Sequence, residues 1–221
     1  MKILFNDVIQ HSNAPKEIKS PALAEMTSVT GPIAITLDRQ RPINAIGIGN
    51  TDGTSFTVTF NDAGNTVFHF QFAENGLYAM DKAVNASVIT IASNATYIGR
   101  IGAGIGVHIP TAIAKEPALH STAQPRTTLS GQVIPGAGGY NYRSVSLDSR
   151  YKIGAAAMGE IKSGYKHIGM GYPFFIDLSD ESYKLPFSKL YAAERNQRQM
   201  SFEGGIRRFL YSRRFEFEER F

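Results

Sequence analysis

The stretch 41–60 constrains the fold of this chain more than any other segment. It holds two runs in which apolar residues alternate with small or polar ones, 43–48 and 56–60, and the residues between them, 49–53, are Gly-Asn-Thr-Asp-Gly. Glycine, asparagine and aspartate adopt the backbone conformations that a chain reversal needs. Since successive side chains of a strand point to opposite faces, the phenylalanines and the valine of the second run should share a buried face. The stretch predicts two sandwich strands joined by a turn.

Short apolar runs bounded by glycine, proline or asparagine recur along the chain. Their spacing of about ten residues is typical of a sandwich or barrel. In the run 66–72 the alternation predicts Phe68, Phe70 and Phe72 inward, with His69 outward. A short helix is predicted at 187–195. The predicted strands are 3–10, 33–38, 43–48, 55–60, 66–72, 87–92, 96–101, 105–109, 140–147, 150–157, 172–178, 197–202, 206–211 and 213–219.

The composition limits the chemistry that the chain can perform. It has no cysteine, which excludes disulfides, thiolate catalysis and cysteine-ligated zinc. Its five histidines lie far apart in the sequence and form no pair at metal-binding spacing. Gly102-x-Gly104-x-Gly106 is not followed by a helical pattern, so strands in close backbone contact explain these glycines better than a phosphate site. We predict a non-enzymatic protein with no catalytic residue, no cofactor and no metal site.

The beginning of the chain and its apolar runs bear on targeting. Residues 1–7, Met-Lys-Ile-Leu-Phe-Asn-Asp, become polar too early for the apolar part of a signal peptide. No apolar run approaches the roughly 20 residues that span a bilayer as a helix. We therefore expect no membrane segment and synthesis in the cytoplasm.

A change in composition divides the chain. Four prolines and the glycine-rich run 131–139 interrupt the strand pattern between 110 and 147. Long segments of this kind within a domain are usually functional or linked to assembly. We predict three parts, which are a β-sandwich at 1–125, a Gly/Pro-rich arm or hairpin at 126–147, and a second, smaller β region at 148–221.

Three segments carry a family resemblance. The strand pair in 33–60, the segment Tyr-Pro-Phe-Phe-Ile-Asp-Leu at 172–178 and the segment Phe-Glu-Gly-Gly-Ile-Arg-Arg-Phe at 202–209 resemble galactose-binding-like (discoidin-like) jelly rolls of bacteriophage tail and baseplate proteins. The resemblance implies an all-β fold, with a jelly-roll or galactose-binding-like β-sandwich followed by the second β region. It also implies a structural virion protein of the viral tail, made in the host cytoplasm.

Arginine alternates with aromatic residues near the C-terminal end of the sequence, from residue 195 onward, and the whole segment 126–221 is basic. Residues 126–221 hold 15 basic and 10 acidic side chains, against 8 and 9 in residues 1–125. Glutamates among the arginines would repel phosphate, which argues against nucleic acid as a partner. Arginine and aromatic anchors with mixed charge suit a protein–protein interface. The predicted interface residues are Arg195, Arg198, Arg207, Arg208, Tyr211, Arg213, Arg214, Phe215 and Phe217.

The turns of the sandwich suggest a ligand-binding alternative. Asn50, Asp52, Asn61 and Asp62 lie in or beside predicted loops, where they could grip a sugar of the host surface. Oxygen ligands from Asn50, Asp52 and Asp62 could also hold a structural calcium ion. The chain has no tryptophan, and the loop tips carry no aromatic platform, which weighs against a carbohydrate-binding module.

The expectation that combines these features is a subunit of the phage tail tip, baseplate or another tail component. Its neighbours would be other virion tail proteins and further copies of itself in a homo-oligomeric ring, joined through the arm and the C-terminal strands. A carbohydrate-binding module for host-surface glycans is the first alternative, and a head-to-tail connector subunit is the second.

Overall fold

The fold is all-β, as the strand pattern predicts. A computed structural model describes residues 2–21, 25–72, 76–108, 118–121, 126–127, 130, 133–134, 141–148, 153–154, 159, 161–164, 166, 173–178, 189–194, 201–205, 208–212 and 214–219. The strands are β1 Lys2–Asp7, β2 Thr27–Ser28, β3 Ile33–Thr51, β4 Phe56–Asp62, β5 Asn65–Phe72, β6 Gly76–Ser93, β7 Tyr97–His108, β8 Ala118–Ser121, β9 Arg126–Thr127, β10 Val133–Ile134, β11 Asn141–Asp148, β12 Ile153–Gly154, β13 Phe174–Asp177, β14 Lys189–Glu194, β15 Ser201–Gly205, β16 Arg208–Ser212 and β17 Arg214–Glu219.

Helical structure in the described part is brief. A 3-10 turn at Val8–His11 follows β1, and a four-residue helix, α1, spans Lys16–Lys19. Residues 161–164 are also helical, and Ile161 is fully buried. Among the described helices, none has the length and apolar character needed to cross a membrane.

Most of the strands belong to one antiparallel sheet. Its order is β5-β4-β6-β3-β7-β1-β13-β14-β17-β11-β8, and β2 pairs with β7 as its twelfth strand. Two smaller sheets are formed by β9 with β10, and by β12, β16 and β15. Among the described strands its order begins at β5 and ends at β8, and these two are not paired with each other.

The two longest strands fold this sheet over itself. Register shifts interrupt the pairing of β3 with β6 between Thr36 and Arg41 and between Ile43 and Ala45. Such irregularities bend strands. On one side of the bend, β4 pairs with the second half of β6, which lies beside the first half of β3. On the other side, β7 pairs with the second half of β3. Buried side chains of β4 and β7 nevertheless belong to one hydrophobic cluster, so the two halves face each other as the layers of a sandwich.

The predicted face of β4 is confirmed. Phe56, Val58 and Phe60 are fully buried, while the threonines between them are half-buried. The turn before β4 starts later than predicted, because β3 continues to Thr51. The strands on either side of that turn are not paired with each other, since β6 lies between them.

Several predicted elements were wrong in extent or type. The strand predicted at 3–10 ends at Asp7, and the helix predicted at 187–195 is a strand over Lys189–Glu194. That segment lies between β13 and β17, and backbone pairing on both sides overrides a local helical preference. The described residues of the two strands predicted at 96–101 and 105–109 belong to the single strand β7, Tyr97–His108, apart from residue 96. Phe68, predicted inward, is 39% exposed on the end strand β5.

The sheet contains strands from all three predicted parts of the chain. The first strand, β1, pairs with β13, and β8 pairs with β11. Within the predicted arm at 126–147 the described residues include the short pair β9–β10 and most of β11. The boundaries at 125 and 147 remain predictions, and the sheet itself continues across them.

Candidate functional site

The first predicted ligand loop, around Asp52, is braced by side chains. One carboxylate oxygen of Asp52, Oδ1, accepts hydrogen bonds from the backbone N–H groups of Thr96 (2.9 Å) and Tyr97 (3.3 Å). The other, Oδ2, accepts one from the hydroxyl of Thr96 at 2.5 Å. The hydrogen bond from the Thr96 side chain, helped by these backbone bonds, lowers the pKa of Asp52. A sugar or a calcium ion would have to compete with these partners for the same oxygens.

Asn94 braces the same loop from the opposite strand end. Its Oδ1 accepts from the backbone N–H groups of Thr54 (2.9 Å) and Ser55 (3.1 Å), and its Nδ2 donates to the Thr54 hydroxyl at 2.9 Å. Asn50 adopts a left-handed conformation, with φ of 50°, at the end of β3. These contacts hold residues 50–55 against residues 94–97. They join residues that lie 39 to 45 positions apart in the sequence, unlike the local bonds that asparagine, aspartate and threonine form within a single turn.

The brace gives a pH-dependent prediction. Because the pKa of Asp52 is lower in the folded chain than its ordinary value of 3.8, the ionised carboxylate stabilises the fold above that value. This stabilisation is lost as the pH falls through the folded pKa. Asp52→Asn should therefore have a lower melting temperature than the wild type at pH 7, and the difference should shrink below about pH 4. Asp81→Asn removes a carboxylate at an exposed position in β6; it is the matched control and should change the melting temperature little at pH 7.

The second predicted ligand group lies at the other end of β4. Asp62 Oδ2 accepts from Gln40 Nε2 at 2.6 Å, and Asp62 Oδ1 accepts from Ser87 Oγ at 3.3 Å. Asn61 Oδ1 accepts from Thr66 Oγ1 at 3.0 Å across the β4–β5 hairpin. The length of a seven-residue strand, roughly 20 Å, separates this group from the Asp52 loop. The four predicted ligand residues therefore form two separate groups that do not converge on one small ligand.

The predicted interface residues fall partly outside the described chain. Arg195, Arg198, Arg207 and Arg213 are not among the described residues. Arg208 and Tyr211 lie in β16, and Arg214, Phe215 and Phe217 lie in β17. Both sides of β17 are paired within the chain, with β14 and with β11. Because these pairings cover residues 214–218 on the β11 side and 217–219 on the β14 side, a neighbouring subunit cannot add a strand to β17 at those residues.

The two end strands of the large sheet, as far as it is described, are a candidate interaction site that the sequence pattern did not predict. Of the described strands with at least four residues, only β5 and β8 contain no Asp, Glu, Lys or Arg. Of the large hydrophobic side chains whose burial is described, three are clearly exposed, and two of these lie on the end strands: Phe68 on β5, at 39%, and Leu119 on β8, at 70%. The missing charges are visible in the sequence, but the position of these strands at the two ends is not.

Side-chain contacts hold both end strands in place. On β5 the ring of Phe72 stacks on Phe56 and Tyr78, with centroid distances of 5.3 and 3.9 Å. On β8 the ring of His120 stacks on Tyr142 at 5.1 Å, and His120 Nε2 lies 2.6 Å from Ser144 Oγ. Each end of the sheet is therefore fixed to the strand beside it.

A buried ion pair joins the first strand to the core. Arg100 is 2% exposed, and its Nη2 donates to Asp7 Oδ2 while its Nη1 donates to the carbonyl oxygen of Ile18 at 3.1 Å. Asp7 Oδ1 accepts from the backbone N–H groups of Ile9 (3.0 Å) and Ala103 (3.1 Å). Burial raises the pKa of Asp7, against the opposing effects of Arg100 and of these N–H groups. The pair connects β1, the 3-10 turn, α1 and β7, which is a structural role.

The glycine run of β7 provides close packing, as predicted, and no phosphate loop. The strand β7 continues through the whole run, from Tyr97 to His108. The ring of Phe175 lies over Gly47 and Gly102, and a methyl group at Gly102 would meet both this ring and Leu4 at 3.2 Å. These glycines let an aromatic ring of β13 rest directly on the backbone of the sheet.

The described residues show no assembled metal centre. Among them, no three histidine or carboxylate side chains come together in a group that could hold a metal ion.

Comparison with known proteins does not extend this description. No family model, no curated protein and no solved structure matches the chain. Three features therefore bear on function: the end strands, the braced loops and the sequence resemblance.

Proposed function

We propose that this protein is a non-enzymatic structural subunit of a phage virion, in the tail tip, the baseplate or another tail component. It forms a homo-oligomeric ring and contacts other virion tail proteins. The resemblance of residues 33–60, 172–178 and 202–209 to phage tail and baseplate jelly rolls supports the viral part of the proposal. The all-β fold agrees with that resemblance at the level of fold class.

The observation that carries the assembly part is the pair of strands without Asp, Glu, Lys or Arg at the two ends of the sheet, as its order runs through the described residues. An end strand presents backbone N–H and C=O groups that can pair with another chain. Soluble proteins usually protect such strands with charged residues, proline or a covering element. The eight residues of β5 include neither a proline nor an Asp, Glu, Lys or Arg side chain. A strand of this kind suits a protein whose sheet continues into a neighbour.

The carbohydrate-binding alternative receives less support from the described loops. Asp52 is hydrogen-bonded to Thr96 and Tyr97, and Asp62 is hydrogen-bonded to Gln40 and Ser87. The two groups lie at opposite ends of β4, so they offer no shared cleft with convergent polar groups.

A head-to-tail connector belongs to the same assembly class as the main proposal and differs from it in its neighbours.

The mass of the full-length protein in solution tests the proposal. We expect a discrete oligomer by light scattering after size-exclusion chromatography, and co-purification with other virion tail proteins when these are produced together. The full chain is required, because β17 lies inside the large sheet and a C-terminal truncation would disrupt it. A monomer at every concentration that also fails to join any tail protein would contradict the proposal, as would intact particles formed without this chain.

A further inference from the structure

We infer that β5 of one copy pairs with β8 of the next copy, so that the large sheet continues from subunit to subunit around the ring. The inference rests on the proposed assembly function and names its partner surface, which is the opposite end of the same sheet in a second copy. The pairing is antiparallel, like the pairings described within this sheet.

Charge is the first argument for this partner. The two end strands are the described strands of four or more residues that lack Asp, Glu, Lys and Arg, whereas the interior strands of that length carry at least one. Like charges directly opposite each other destabilise a strand pair, and an unpaired charge is costly to bury. Among the described strands of four or more residues, the absence of these charged side chains is thus confined to the two strands that a neighbour would cover. An isolated subunit would gain nothing from the absence of charged side chains on these two strands.

Exposed apolar surface is the second argument. Phe68 on β5 and Leu119 on β8 are among the most exposed of the large hydrophobic side chains whose burial is described. All four residues of β8 are exposed. Pairing of the two ends would cover both side chains and bury the backbone groups at both edges at once. An aromatic side chain facing an aliphatic one is a favourable cross-strand combination.

The difference between the two ends determines the symmetry. The ends of the sheet are different surfaces, with eight residues in β5 and four in β8. Contacts between two different surfaces are heterologous, and they form a closed ring when the rotation between subunits closes. Pairing of β5 with β5 would instead give a two-fold dimer. A head-to-tail arrangement covers both β5 and β8, the two strands that lack Asp, Glu, Lys and Arg. A β5–β5 dimer would leave β8 uncovered.

Complementation between two blocked variants tests the inference. His69→Lys places a charge on exposed β5, and Leu119→Lys places one on exposed β8. Each variant alone is expected to lose the wild-type oligomer, with association weakened by roughly a hundredfold because a charge is buried without a partner. An equimolar mixture still contains one unmodified β5 edge and one unmodified β8 edge. It is therefore expected to form a heterodimer that grows no further, visible by native mass spectrometry.

A matched control separates the interface from general effects of charge. Asn85→Lys adds the same charge at an exposed position of β6, an interior strand, and is expected to keep the wild-type oligomer. Far-ultraviolet circular dichroism and the melting temperature of each variant show whether its fold is intact. Where a lysine variant does not fold, lysine at another exposed position of the same strand, Gln71 on β5 or Ala118 on β8, replaces it in the mixing experiment.

The outcomes distinguish this inference from the proposed function. If His69→Lys and Leu119→Lys both keep the wild-type mass, the pairing is wrong and the assembly function stands on other contacts. If only one variant loses it and the mixture forms no heterodimer, a two-fold pairing of one end is indicated and the inference is overturned. If the wild type neither self-associates nor joins tail proteins, the proposed function itself fails.

Discussion

Replacing Asp7 by alanine is expected to lower the free energy of unfolding by about 3–5 kcal/mol, because it leaves a buried guanidinium without its counter-charge. Arg100 is 2% exposed and has Asp7 as its carboxylate partner. The same substitution removes the acceptor for the backbone N–H groups of Ile9 and Ala103. Urea unfolding at pH 7, followed by circular dichroism, measures the difference.

Two further variants test the reason for this effect. The double variant Asp7→Ala, Arg100→Met removes both charges and should recover part of the lost stability, since apolar residues often replace a buried pair at little cost. Asp38→Ala breaks the pair with Arg41, which lies at the surface, and should change stability little. Equal stability of the Asp7 single variant and the wild type would mean that the buried pair does not stabilise the fold. A double variant no more stable than the single would show that the uncompensated charge is not the cause.

Which face of a strand is buried could be predicted where one face packs in the core and the other is closer to solvent. In β4 the alternation of large apolar residues with threonine follows the period of a strand, and Phe56, Val58 and Phe60 are buried as predicted. The bend in β3 could not be predicted from the same pattern. Residues 38–40 are polar and exposed, as turn residues are, yet they lie within one continuous strand. An irregularity that bends a strand and a turn that ends it can have the same local sequence.

The candidate site depended on contacts that no local pattern contains. Asp52 was predicted as a ligand residue because aspartate occurs in turns, but its carboxylate is bound by Thr96, which lies 44 residues away. The order of the strands is equally non-local, since β13 lies beside β1. The uncharged segment Asn65–Phe72 is visible in the sequence, whereas its place at the end of the sheet follows only from the pairing of all the other strands.

Gly104→Ala is expected to destabilise the fold by about 3–5 kcal/mol, since it combines a strained backbone with a collision. Gly104 has φ of 156°, and a methyl group there would collide with the backbone carbonyl oxygen of Asn6. Asn6 belongs to β1, which pairs with β7 at this point through Asp7 and Gly104. A backbone oxygen held in a strand pair cannot move away as a side chain can, so the variant must separate β1 from β7. Thermal and urea unfolding measure the loss.

Three other glycines separate the two causes of this effect. Gly31 has open space and an ordinary φ, so Gly31→Ala should leave stability nearly unchanged or raise it slightly. Gly64 has φ of 85° in open space, and Gly64→Ala should cost only the conformational strain, about 1–3 kcal/mol. Gly102→Ala tests crowding alone, against Leu4 and Phe175, which are side chains and can shift. A Gly104→Ala protein as stable as the Gly31→Ala protein would refute the close approach of β1 to β7, and with it the packing around Asp7.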